Sequence, residues 1–401
     1  MNATETVGLH MDSVQKKALP LGILGIILAV VFGWMASRHA DVHPWQQFFQ
    51  SYILAYVYWF AISMGCMAIL MVHHVTGGWW GFPIRRILEA GSRMIPFMAV
   101  LFIPILIGLS QVYPWTWPGV IPVTPFSHFK QMYLSKGFFT ARAIVCFAIW
   151  LLYSYLLNAW SKEQDQTADV TLRARMGRLS APGLVVWSLT VSIAAFDWCM
   201  SLEPAWYSTI YGMLFMVINC LTALAFSRGV LRFLSNDEPL KDCVPAKDYV
   251  DLGSLMLAFT LLWTYMSFSQ FLIIWAGNLK SEIPWYMTRA FGGWAPVGVF
   301  LILFHFFMPF LLLLQRAVKR RIHVLGLVAG WMMVLSFVDI YWLIAPSYEP
   351  AGPKIHLLDI FALLGIGGLW VAGFFMQLKK LPLLPAHDPR FERALERTHG
   401  H

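Results

Sequence analysis

The sequence predicts an all-α polytopic membrane protein with ten transmembrane helices and both termini cytoplasmic. Three observations carry this. The 401 residues are 58% hydrophobic and only 12% charged, outside the range of soluble globular domains. Ten apolar runs approach the roughly 20 residues that cross a bilayer. The basic residues also divide unevenly. Of 29 Lys and Arg, 22 fall in the N-terminal segment, the even-numbered connections with their adjoining helix ends, and the C-terminal tail, against six in the odd-numbered connections. Basic segments stay on the cytoplasmic side. The net charge of +8 therefore reflects topology and gives no case for a nucleic-acid partner.

The first run, 19–37, follows a segment containing Glu5 and Asp12 and lacks a small-residue cleavage site, which predicts a retained helix rather than a signal peptide. The second, 49–74, carries Tyr56 and Cys66 and ends on His73 and His74. Next, the segment 79–93, WWGFPIRRILEAGSR, reads as an interfacial amphipathic helix anchored by two tryptophans. The third run is 95–112. A connection rich in Pro, Trp and Phe, 113–137, leads to the fourth, 138–160, with Arg142 one turn inside its end. After a connection at 161–182, the fifth run, 183–202, carries Asp197, and the sixth, 208–233, carries Tyr211 and Cys220.

A connection at 234–251, ending on Asp251, precedes the seventh run, 252–276. There Thr260, Thr264 and Ser267 at i, i+4 and i+7 form one polar stripe, with Tyr265, Ser269 and Gln270 nearby. The eighth run, 292–314, has His305 in its middle, and the ninth, 324–344, has Asp339. The tenth, 357–378, opens near Asp359 and is followed by a cytoplasmic tail, 379–401. The cysteines Cys66, Cys146, Cys199, Cys220 and Cys243 form no CxxC pair and no CxxCH, which argues against iron–sulfur ligation or covalent haem attachment in this chain. The single mid-membrane histidine, with only His73 and His74 as candidate partners near an interface, argues against an axially ligated haem.

Two stretches are alike, 192–207 (SIAAFDWCMSLEPAWY) and 335–350 (LSFVDIYWLIAPSYEP), each with a proline seven residues after its aspartate: Asp197 with Pro204 and Asp339 with Pro346. This predicts two pseudo-repeated four-helix bundles within a single membrane domain, 49–202 and 208–344, with helices 19–37 and 357–378 peripheral. The Tyr and Cys positions of the second and sixth runs do not share that offset.

Ionisable residues inside a membrane usually face the bundle interior and mark relays or ligand pathways. Helical rise puts Asp197 and Asp339 roughly 21 to 23 Å from their cytoplasmic helix ends, in the outer third of the membrane. Arg142, Glu203, Glu282 and Asp359 lie toward the same surface, giving an outer polar cluster with one fixed positive charge, and Arg142 can pair with either aspartate. Toward the cytoplasm, His305, His73, His74 and Asp251 offer an inner half-path. Thr264, Ser267 and Tyr265 could order water between the two clusters, or the hydroxyls could instead bond between helices.

Two runs, 197–212 (DWCMSLEPAWYSTIYG) and 265–286 (YMSFSQFLIIWAGNLKSEIPWY), resemble the F subunit of bacterial alternative complex III, an NrfD-like (polysulfide-reductase type) membrane protein. The resemblance extends from the second helix to Leu369 and Trp370. It implies two four-helix bundles in a respiratory quinol oxidase module of the bacterial cytoplasmic membrane. The implied partners are the related C subunit, a pentahaem cytochrome c, an iron–sulfur subunit, small membrane subunits and a terminal oxidase. Haem c and iron–sulfur clusters would lie in those partners, and menaquinol or ubiquinol at or near this chain. The resemblance further implies that quinol oxidation centres on the C subunit while the F subunit supplies a proton route. Relatives often carry His after the proline that here is Pro204, whereas this chain has Ala205, which removes that position as a proton carrier.

The expectation is thus a subunit without a redox centre that offers two half-channels, with Asp197 and Asp339 as outer carriers, Arg142 as their modulator, and His305 and Asp251 as inner carriers. A quinol-binding subunit and a secondary transporter are the alternatives.

Overall fold

The computed structural model describes residues 3–38, 43–120, 127–167, 169, 171–235 and 245–385. Cys243 and the tail beyond residue 385 lie outside the described residues, as does 121–126 of the aromatic connection. Among the described residues there are no strands. Ten helices are long and apolar enough to cross a membrane: α1 Leu9–Ser37, α2 Gln46–Thr76, α3 Arg85–Ile107, α4 Lys136–Thr167, α5 Thr171–Leu202, α6 Ile210–Leu234, α7 Lys247–Gly277, α8 Gly292–Leu314, α9 Ile322–Ser347 and α10 Leu357–Leu378. The all-α polytopic class follows directly.

Several boundaries differ from those expected, each for a physical reason. The connection anticipated at 161–182 is almost wholly helical, because α4 continues to Thr167 and α5 begins at Thr171. Lys162, Glu163, Arg175 and Arg178 are exposed there, so the helix persists where apolar sequence stops. The connection 113–137 holds a short helix of its own, Ser127–Tyr133.

The largest correction concerns 79–93. Every residue of the helical segment Arg85–Ser92 is buried, so it is an interior turn of α3 and not an interfacial helix. Its charges are answered from within. Glu89 accepts from Arg85 Nε at 2.9 Å and Arg86 Nη1 at 2.7 Å, and from the Ser161 hydroxyl of α4 at 2.5 Å. Arg86 also pairs with Asp165, while Arg85 Nη2 donates to Gln164 at 2.9 Å. Buried charges persist only when paired and hydrogen-bonded in this way.

α2 and α6 form the centre. α2 packs on α3, α5, α6 and α10, while α6 packs on α5, α7 and α9. Helices α2 to α5 contact one another, as do α6 to α9, and the α2–α6 seam joins these groups. At that seam a Cβ on Gly65 would stand 1.9 Å from the Asn219 carbonyl oxygen, so only glycine permits this approach. α2 also spends its polar side chains on neighbouring backbone. Tyr52 and Tyr56 donate to Leu101 and Met98 of α3, Tyr58 to Met333 of α9, and Trp59 to Leu363 of α10. In hydrocarbon such groups need internal partners.

α1 packs chiefly on α10. The contact is backbone against backbone: a Cβ on Gly25 would meet Gly365 N at 2.6 Å, and one on Gly22 would meet Leu369 N at 2.4 Å. Small residues at a helix crossing allow this approach where lipid supplies no hydrophobic drive.

Candidate functional site

Asp197 stands in the last turns of α5 and is almost fully buried. Arg142, in the second turn of α4, grips it in a fork: Nε to Oδ2 at 2.7 Å and Nη2 to Oδ1 at 2.9 Å. The remaining Arg142 nitrogen, Nη1, donates to the Tyr133 carbonyl at 2.9 Å. The guanidinium carbon lies 3.8 Å from the Tyr133 ring centre and 4.6 Å from that of Phe138. Planar bidentate pairing of this kind is strong and directional. Burial first, and then the Asp197 carboxylate, push the Tyr133 phenol above its ordinary value. The open choice for Arg142 therefore resolves to Asp197.

Asp339, on α9, has a different environment. Among the described residues its hydrogen-bond partner is the Trp263 indole of α7, with Nε1 donating to Oδ2 at 2.9 Å. It is buried and lines a cavity of about 530 Å³ bounded by α7, α8, α9 and the segment between α7 and α8. Thr264, Ser267 and Gln270 of α7 line the same cavity. The other face of the Trp263 region meets His305, the ring centres 4.5 Å apart. Both imidazole nitrogens of His305 are buried without a hydrogen-bond partner among the described residues. His305 lies in a π-helical stretch of α8, Ile302–Phe307, a local widening common at functional sites.

A second arginine corrects the expectation of one fixed positive charge. Arg289, in the short helix Ile283–Ala290, is buried and lines the Asp339 cavity. Its Nη2 bonds Glu203 at 2.8 Å and the Leu343 carbonyl at 2.9 Å, while its charge lies 3.8 Å over the Trp285 ring. Ser347 donates to the same Glu203 oxygen at 2.9 Å. Burial pushes the Arg289 guanidinium below its ordinary value, and Glu203 opposes that shift. The sequence reading does not single out Arg289; its signal is position, three residues beyond the run 265–286. Glu203, in the segment after α5, is thereby committed to structure.

Other expected residues separate from this site. Asp359 caps the start of α10, where Oδ2 accepts the His356 backbone N–H at 2.9 Å and Oδ1 accepts the Ser51 hydroxyl at 2.5 Å. Tyr265 points outward and is exposed, away from the cavity. Thr260 and Thr264 each donate to the carbonyl four residues back in α7, at 2.8 and 2.9 Å, so their hydroxyl protons serve neither water nor a neighbouring helix. Asp251 is half-buried at the start of α7, twelve residues and about 18 Å of helical rise from Trp263. His73 packs against Trp80 and His74 at the other end of α2, close under Gly81. The structure thus brings His305 and Asp339 to the same indole, Trp263, and leaves Asp251, His73 and His74 apart from it.

Among the described residues, no three His, Cys, Asp or Glu side chains gather as a metal-ligand set. What the arrangement offers is acid–base chemistry at one carboxyl. Asp197 can change its charge only by giving up a bidentate arginine, whereas Asp339 can do so without breaking an ion pair. Comparison with protein-family models gives no match for this chain. None of the curated proteins matches it either.

Proposed function

We propose that the chain is a membrane subunit of a respiratory quinol:electron-acceptor oxidoreductase of the alternative complex III kind, and that Asp339 is its proton carrier. In this reading it carries no redox centre. It sits in the bacterial cytoplasmic membrane with both termini inside, beside a C-type relative, a pentahaem cytochrome c, an iron–sulfur subunit and small membrane subunits, and can hand on to a terminal oxidase. The resemblance of 197–212 and 265–286 supports the family. The ten-helix architecture agrees with it.

The observation that carries the proton role is the asymmetry between two similar stretches. Asp197 is neutralised by Arg142, and the arginine that lines the Asp339 cavity, Arg289, is taken by Glu203. Asp339 is left with an indole N–H. A carboxyl so placed can accept and release protons while its neighbours hold still. His305, whose ring lies against that indole at a tilt and whose two nitrogens have no partner among the described residues, is the next group inward, and water bridging to it would complete a relay. The role expected for both aspartates thus divides, with Asp197 holding helices together.

The test is proton release per electron in the assembled complex reconstituted in vesicles. Asp339→Asn lowers that ratio while the complex still assembles. Normal coupling in the variant removes Asp339 from the path.

A further inference from the structure

We propose that the pocket between the end of α6 and the start of α9 binds the phosphate of an anionic phospholipid from the leaflet on that side of the membrane. The pocket shares no residue with the Asp339 cavity, so the inference stands or falls independently of the proton path.

The pocket itself is the first argument. A cavity of about 390 Å³ is lined by Gly229, Arg232 and Phe233 of α6 and by His323 of α9. Arg232 is half-buried and His323 exposed, so both polar side chains can be reached from outside. The stem of Arg232 lies against Gly326 of α9, where a Cβ would collide with it. That close fit keeps the arginine at the helix crossing.

Charge is the second argument. α9 begins with cations, although the start of a helix favours anions. Arg320, Arg321 and His323 stand at or beside its first residue, its first turn holds no acid, and no side chain caps it. Its free N–H groups add to the positive potential there. Behind them lies Arg228, one turn before Arg232 on α6 and fully buried. Its Nη2 donates to the Ile322 carbonyl at 2.7 Å, but Nε and Nη1 have no partner among the described residues. The Tyr249 ring centre is 4.9 Å from its guanidinium carbon. Arg228 precedes Gly229, and its acceptor Ile322 precedes His323, so this charge backs the pocket on both helices.

Among the described residues, no carboxylate pairs with Arg228, Arg232, Arg320 or Arg321. A buried charge without a counter-charge is costly, and a phosphate in the pocket supplies one. Arginine and a helix N-terminus are both suited to phosphate oxygens.

The surroundings select a lipid over a soluble anion. His323, Leu327, Gly330 and Val334 recur at i, i+4, i+7 and i+11, so they share one face of α9, and all four are exposed. Phe233 is exposed alongside the pocket on α6. An apolar track thus leads from the phosphate position into the hydrocarbon, where acyl chains lie. The distribution of basic residues expects this end of the bundle on the cytoplasmic side, and basic pockets between helices on that side suit anionic headgroups.

The experiment offers equal phosphatidylglycerol and phosphatidylcholine to the delipidated complex in mild detergent. Native mass spectrometry, with this chain ejected in the gas phase, reads the lipid that it keeps. Phosphatidylglycerol is expected to be favoured about tenfold. Arg232→Gln should lower that preference about fivefold, as loss of one basic group near the headgroup requires. Gly229→Leu fills the pocket without touching a charge, since an added Cβ meets only Met333 Sδ at 4.0 Å, and it should reduce phosphatidylglycerol retention as strongly. Arg178→Gln removes an exposed arginine of α5 and should change nothing. A preference unchanged by both pocket variants, or lowered equally by Arg178→Gln, overturns the proposal. Displacement of the lipid by millimolar inorganic phosphate overturns it in favour of a soluble anion. Carbodiimide cross-linking of Lys319 to an acidic segment of another chain overturns it in favour of a protein partner.

Discussion

Arg142 holds both carboxylate oxygens of Asp197, at 2.7 and 2.9 Å, with its guanidinium against the rings of Tyr133 and Phe138. The corresponding aspartate of the later stretch, Asp339, has no such clamp, because the arginine that shares its cavity reaches instead to Glu203. The two similar segments thus hold their carboxylates differently, one in a bidentate arginine pair and the other on an indole N–H.

Removing one partner of a buried pair strands the other. Arg142→Leu is expected to lower the stability of the purified protein by about 3–5 kcal/mol. The double variant Arg142→Leu with Asp197→Leu should regain most of that loss. Chemical unfolding of the three proteins gives the coupling, and a double variant no better than the single one would refute it.

The two aspartates should part company on amidation. Asn at 339 keeps an oxygen for the Trp263 indole, so Asp339→Asn is expected to change stability by no more than about 1 kcal/mol. Asp197→Asn leaves Arg142 without its counter-charge and should cost several times as much, about 3–5 kcal/mol. Thermal unfolding in a single detergent compares them directly; equal losses would mean that the ion pair contributes little.

At the far end of the bundle, Glu89 balances Arg85 and Arg86 with Arg93 close by at 3.7 Å. Glu89→Gln is expected to cost about 3–5 kcal/mol and to raise hydrogen exchange across 85–92. Arg93, partly exposed, should matter less, with Arg93→Ala costing roughly 1 kcal/mol. An ordering in the opposite sense would show that Glu89 is not the hub.

Gly65 and Gly330 form a matched pair of controls for helix packing. Gly65→Ala places a methyl group 1.9 Å from the Asn219 carbonyl and should cost at least about 1–3 kcal/mol as α2 and α6 separate. Nothing lies within 4 Å of a Cβ on Gly330, so Gly330→Ala should stabilise by about 0.4–1 kcal/mol. Unfolding midpoints of the two variants should move in opposite directions.

The ten spans were legible because a bilayer demands length and apolarity, both of which are sequence properties. What escaped was pairing across sequence distance. The charges of 85–93 looked interfacial because Asp165 and Ser161, their partners, lie more than 60 residues on; hydropathy cannot register a charge that another helix neutralises. Arg289 escaped for the same reason, since its partner Glu203 lies 86 residues earlier in the chain. Asp197 and Asp339 were recognisable as a pair, yet their difference depends on which arginine each can reach. Asp359 read as a member of the outer polar cluster because sequence does not distinguish a carboxylate that starts a helix from one that faces a path.

The glycine contact between α1 and α10 sets an order of events during synthesis. α1 finds its main neighbour in a helix that begins roughly 320 residues after α1 ends. At about 5–20 residues per second, α1 must wait on the order of tens of seconds in the bilayer before α10 is made. During that interval the faces of Gly22 and Gly25 are open to any other small-residue helix. Closure of the fold is therefore a late step, and an insertion chaperone that shields α1 until α10 arrives would act at that point.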